Sequence, residues 1–115
     1  MLKPPAFSLS PQIESDSFNV LDLELCSVRL SNDRRWPWII LVPRVGNVEE
    51  LFDLSPDDQA NAMRESARVG AALKSLTDCT KINIAMIGNI VRQLHIHVVA
   101  RQEGDANWPG PIWGA

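Results

Sequence analysis

Apolar and polar residues alternate along Cys26-Ser27-Val28-Arg29-Leu30-Ser31, the period of a half-buried strand. The turn-like run Asn32-Asp33-Arg34-Arg35 follows. Trp36 to Val42 (WPWIILV) is apolar almost throughout, which predicts a second, more central strand bounded by Pro37 and Pro43. The two should pair as a hairpin. Ser55-Pro56-Asp57-Asp58 predicts a helix start. Ser55 can cap free N–H groups, Pro56 suits the first helical position, and the aspartates complement the positive end of the helix. The helix is predicted to run to about Leu76, with Ala62, Ser66, Val69, Leu73 and Leu76 along one face. Small residues at Ala67, Gly70 and Ala71 would let a sheet approach closely. Lys81 to Ile87 reads as a third strand, with Ile82, Ile84 and Met86 on one face and Asn83 and Ala85 on the other. A turn at Gly88-Asn89 precedes a fourth strand, Leu94 to Arg101. The order strand, strand, helix, strand, strand predicts an α+β fold with a mainly antiparallel sheet and one main helix. Residues 1–20, with Pro4, Pro5 and Pro11, read as an irregular arm carrying at most one turn after Ser10-Pro11. The domain proper is expected over 21–103, and the Gly-, Pro- and Trp-rich segment 104–115 as an extended tail.

Composition narrows the partners. A chain of 115 residues suits one domain. Its net charge of −3 argues against polymeric nucleic acid, whose binding draws on a basic face, but leaves room for a small anionic ligand. Cys26 and Cys79 are far apart and read as reduced, buried thiols. No run approaches the ~18 apolar residues of a membrane span. Met1-Leu2-Lys3-Pro4-Pro5 leads into no apolar stretch, so no signal peptide is expected and a cytoplasmic location is.

The candidate chemistry lies in Gln93-Leu94-His95-Ile96-His97-Val98-Val99. With period two, Leu94, Ile96, Val98 and Ala100 point to one face and can pack under the helix. Gln93, His95 and His97, which include both of the chain's histidines, point to the other. Three uses are open. The rings can be solvated polar groups on an exposed face. They can chelate zinc, although a structural site takes four protein ligands and a catalytic one usually three, and no third histidine exists. Or one imidazole can attack phosphorus while its neighbours contact the phosphoryl oxygens. Full alternation and the nearby Asn and Arg residues favour the last. Arg92 and Arg101 flank the strand and read as solvated surface charges. Trp36, Trp38, Trp108 and Trp113 read as core or interface anchors.

The stretch resembles the signature of the histidine triad (HIT) family, His-φ-His-φ-His-φ-φ with φ apolar. Gln93 stands at the first histidine, His95 at the middle one and His97 at the third, with Val98 and Val99 trailing. Leu41-Val42-Pro43-Arg44, the capped helix, Asn83 and Gly88-Asn89 ahead of the signature, and Trp108-Pro109-Gly110 also resemble HIT features, over roughly residues 20–113. The resemblance implies a HIT-like fold and a hydrolase or transferase acting at the α-phosphorus of a dinucleoside polyphosphate or nucleoside phosphoramidate. It makes His95 the nucleophile that forms a nucleotidyl-histidine intermediate, and His97 the residue that contacts phosphate and helps the leaving group depart. Gln93 keeps a hydrogen-bonding group but cannot carry charge. Asn32, Asn83 and Asn89 fall where the family places nucleoside and phosphate contacts; turn chemistry or strand-end capping is the alternative for each, and explains Asn89 after Gly88 at least as readily. No tightly bound metal is implied, and a substrate-associated Mg2+ is compatible. The resemblance further implies a homodimer with joined sheets, whose tail can reach the partner's site. Two rivals stand beside it: a non-catalytic nucleotide-binding or interaction module, favoured by the Gln93 replacement, and a His-x-His metal-binding protein.

Overall fold

A computed structural model describes residues 6–115; the first part of the expected arm, with Pro4 and Pro5, lies outside the described residues. The elements in order are α1 (Pro11–Asp16), β1 (Ser17–Asp22), β2 (Cys26–Ser31), β3 (Trp38–Pro43), a 3-10 turn at Leu51–Asp53, α2 (Pro56–Thr77), β4 (Lys81–Ala85) and β5 (Ile96–Arg101). The strands form one five-stranded sheet in the order β1-β2-β3-β5-β4, every pair antiparallel. The α+β class and the single main helix are as the sequence predicts. Long α2 covers one face of the sheet and leaves the other to the terminal segments.

The predicted hairpin is β2–β3, with Val28 opposite Leu41. One strand more than expected is present: the turn expected after Ser10-Pro11 is α1, and the rest of the arm, from Ser17, continues past residue 20 as β1. Pro11 opens α1, and Ile13 anchors it by burial. β1 is an edge strand in which only Ser17 is buried. Such a strand needs no apolar alternation, so it leaves little periodic trace in the sequence.

The start of α2 is as predicted: the Ser55 hydroxyl accepts the N–H of Asp58 at 3.1 Å. The helix ends at Asp78, which adopts φ 51° and donates its N–H to the Lys74 carbonyl. Its buried face is Ala62, Glu65, Ser66, Gly70 and Leu73. Leu76 is 84% exposed rather than part of it. Of the small residues only Gly70 meets the sheet, where an added Cβ would sit 3.5 Å from Ile82; Ala67 and Ala71 face solvent. Glu65 ties the helix to β2 by accepting the N–H groups of Leu25 and Cys26 at 2.9 and 2.8 Å. The core between helix and sheet holds Leu41, Ala62, Leu73, Ile96, Val98 and Ala100. Cys26 and Cys79 are buried free thiols in the same core.

The tail does not extend away. Ile112 packs on Trp36 and Val99. Arg101, expected as a surface charge, is 1% exposed. Its guanidinium donates to both carboxylate oxygens of Asp105 at 2.8 Å, to the Gly110 carbonyl at 2.8 Å and to Asn83 Oδ1 at 3.1 Å. This buried cation folds the last residues of the chain back onto the face opposite α2. No helix among the described residues is long and apolar enough to cross a membrane.

Candidate functional site

Strand parity sorts the signature as expected. Leu94, Ile96, Val98 and Ala100 join the core under α2, and His95 and His97 fall on the other face. His97 lies between Ile40 of β3 and Ala85 of β4 in register. The two imidazoles stand edge to face with centroids 4.8 Å apart. Both are mostly buried, at 7% and 5% exposure. His97 is walled by Trp38 and Trp113, whose rings lie 5.5 and 5.1 Å from its own.

Hydrogen bonds set the proton on each ring. His95 Nδ1 lies 2.6 Å from the Gln93 carbonyl oxygen, which can only accept. The proton is therefore on Nδ1, and Nε2 keeps its lone pair. His97 is the reverse. Its Nδ1 accepts the indole N–H of Trp38 at 3.0 Å, and its Nε2 donates to the Ile87 carbonyl at 3.3 Å. Burial holds the His97 pKa down to about 4, and the neighbouring His95 adds to the effect. His97 is thus a neutral N–H donor at physiological pH.

Two cavities meet at His95. One, of about 310 Å³, is largely apolar and aromatic; Ile13, Asn32, Asp33, Trp38, His97 and Trp113 are among its walls. The other, of about 470 Å³, is more polar and is lined by Glu49, Glu50, Phe52, Asn89 and Arg92 among others. Asn32 therefore shares a cavity with both histidines, and Asn89 shares the other with His95. Asn83 lies on the histidine face but lines neither cavity, because its amide oxygen accepts from Arg101. Gly88 in the polar cavity has no room for a side chain: a Cβ there would stand 2.7 Å from the Val91 carbonyl oxygen.

Gln93 lines the polar cavity together with His95. Its carbonyl holds His95, but its side chain turns to the N-terminal segment. There Oε1 accepts the Ser10 N–H at 2.8 Å and Nε2 donates to the Ser8 carbonyl at 2.8 Å. The amide that stands for a histidine is thus engaged in tying down the stretch before α1.

The sequence did not single out Trp38 and Trp113 as walls of the site, nor Glu49 and Glu50. Trp38 had one usable signal. It shares parity with Ile40, and so lies on the histidine face of a strand that pairs with β5.

The HIT domain family profile matches residues 12–104. Three solved structures are similar over nearly the whole chain. A histidine triad protein of Sinorhizobium meliloti is 55% identical, with TM-score 0.93, over 94% of this chain and 80% of that one. A histidine triad protein of Bradyrhizobium japonicum is 46% identical, with TM-score 0.94, over 96% and 82%. A histidine triad protein of Marinobacter aquaeolei is 39% identical, with TM-score 0.94, over 96% and 80%.

Proposed function

The chain belongs to the HIT family, which contains nucleotide hydrolases and transferases, and we propose that it hydrolyses a nucleoside phosphate derivative through a nucleotidyl-histidine intermediate. One observation carries this reading: His95 has its Nδ1 proton tied to the Gln93 carbonyl, its Nε2 lone pair free of that bond, and a place in the wall of both cavities. Nε2 attacks the α-phosphorus, a P–N bond forms, and the bond from phosphorus to the leaving group breaks, the departing amine taking up a proton from solvent in the open polar cavity. The ring then carries a positive charge, which the Gln93 carbonyl dipole stabilises without having to reorganise. The His97 Nε2–H donates to a phosphoryl oxygen. Water next attacks phosphorus and gives up one proton to solvent, the P–N bond breaks with its electron pair returning to Nε2, and a nucleoside monophosphate leaves.

The cavities divide the substrate between them. The aromatic one, with Trp38, Trp113 and Asn32, takes the nucleoside. The polar one takes the leaving group; its lining carries two carboxylates, Glu49 and Glu50, and one guanidinium, Arg92. A polyphosphate brings several negative charges to this lining, whereas an amine brings none or a positive one. Like-charge repulsion there favours a nucleoside phosphoramidate over a dinucleoside polyphosphate. In a hydrolysis panel the phosphoramidate should show a kcat/KM roughly 10-fold or more above that of the dinucleoside polyphosphate. The opposite preference would remove the leaving-group assignment. Nucleotide binding with no turnover of either compound would make the chain a binding module instead.

A homodimer is part of the same proposal. β4 is a free edge of the sheet with Ile84 exposed, and a second copy pairing there would join the two sheets. Light scattering should then give twice the 12.8 kDa chain mass at micromolar concentration, and the single mass would count against it.

A further inference from the structure

Resting on the catalytic reading above, we propose that Trp38 is a positioning residue: its indole N–H fixes His97 in one tautomer, so that His97 meets substrate as a permanent N–H donor rather than as a titrating acid or base.

The chemistry of the two partners requires this tautomer. Indole N–H donates and has no acceptor, so its 3.0 Å contact needs a lone pair on His97 Nδ1. The other nitrogen faces a carbonyl, which only accepts, so it must carry the proton. A donor on one side and an acceptor on the other specify the same form. The bond to Ile87 is long, at 3.3 Å, so this N–H is weakly engaged and can be shared with a phosphoryl oxygen without the ring moving. The bond from Trp38 is the shorter one and sets the ring.

Trp38 is itself held. It precedes Ile40, the register partner of His97, by two residues and reaches the imidazole diagonally across the strand pair. Its ring packs edge-on against Trp113 with centroids 6.3 Å apart and touches the apolar clusters on both sides.

Protonating Nδ1 would set an imidazolium N–H against the indole N–H, two donors facing each other in a buried site. The groups around His97 do little to offset this. His95 is the titratable neighbour on its own strand. Ile40 on β3, Ala85 on β4, Ile87 and Val91 in the preceding loop and Trp113 in the tail carry no charge. Asp16 and Asp33 also line the cavity, and Asp33 is already paired with Arg35 at 2.8 Å.

The test uses the full chain labelled with 15N-histidine, whose two imidazoles give four ring signals. At neutral pH, wild-type His97 should show an unprotonated Nδ1 and a protonated Nε2, unchanged on acidification to about pH 5, above the His97 value of about 4. A protonated Nδ1 would overturn the proposal from the wild-type spectrum alone, whether or not any variant folds. Trp38→Phe keeps an aromatic ring but lacks the N–H. In it the His97 signals should average between tautomers and titrate at higher pH. Its kcat should fall ~10-fold, the loss of one oriented hydrogen bond in the transition state. An unchanged tautomer and titration in Trp38→Phe would also overturn it. The spectra need no substrate, so an inactive wild type with the predicted tautomer would defeat the hydrolase reading and leave the role of Trp38 in place.

Discussion

Replacing His95 by alanine should lower turnover by about 10⁴-fold or more, the order of loss when a covalent nucleophile is removed. No second imidazole can take over the attack. His97 has its Nδ1 lone pair occupied by Trp38 and a proton on Nε2. Nucleotide binding should change only a few-fold. The contacts available to a nucleoside come from Trp38, Trp113 and Asn32 in the aromatic cavity, none of which is altered. Turnover and the affinity of a non-hydrolysable nucleotide, measured side by side on both proteins, check the split. Wild-type hydrolysis by His95→Ala would remove the nucleophile assignment.

Asp105→Ala should be the most damaging single change to the fold outside the apolar core. The carboxylate accepts two guanidinium N–H groups from Arg101 at 2.8 Å and the Gln102 backbone N–H at 3.0 Å. Without it a fully buried cation keeps only the Asn83 and Gly110 oxygens and the faces of Trp36 and Trp108. Breaking one side of a buried ion pair costs about 3 kcal/mol, which in a domain of this size lowers Tm by roughly 10 °C. The tail should loosen as well, and hydrogen exchange over 102–115 should rise. The same pair gives an acid limb to stability. Bonds from Arg101 hold the Asp105 pKa at about 2, below the usual 3.8. The carboxylate therefore stabilises the fold above about pH 4 and stops doing so as pH falls from 3.8 toward 2. Asp105→Ala should lack this limb. An unchanged melting temperature in the variant would show that the pair does not hold the tail.

The most legible elements were those with a periodic or capping signal. Alternation in β2, the apolar run of β3, the Ser55-Pro56 start of α2 and the two faces of the histidine strand are local patterns. Each survives folding because one face meets the core. β1 leaves no strand signal, and α1 shows only as a turn after Ser10-Pro11, because they bury little: Ser17 alone in β1 and Ile13 in α1. The placing of both histidines on one face followed from parity. What surrounds them did not, because those contacts are remote in sequence. Trp38 meets His97 from 59 residues away, and Gln93 bonds Ser8 and Ser10 from more than 80. The signature offered a histidine-like role for Gln93, but a segment with no periodicity claims its side chain. Arg101 read as a surface charge because its partner, Asp105, sits four residues on, past the strand end, where sequence alone does not show that the chain turns back.

The most direct test of the nucleophile is to catch it bonded to phosphorus. The chain would be mixed with a nucleoside phosphoramidate, quenched in base within one turnover to preserve the acid-labile P–N bond, and digested for mass spectrometry. A nucleoside monophosphate adduct should appear on the peptide carrying His95, and be absent from His95→Ala. Turnover at full rate with no adduct at any time point, or with the adduct on His97, would contradict the assignment.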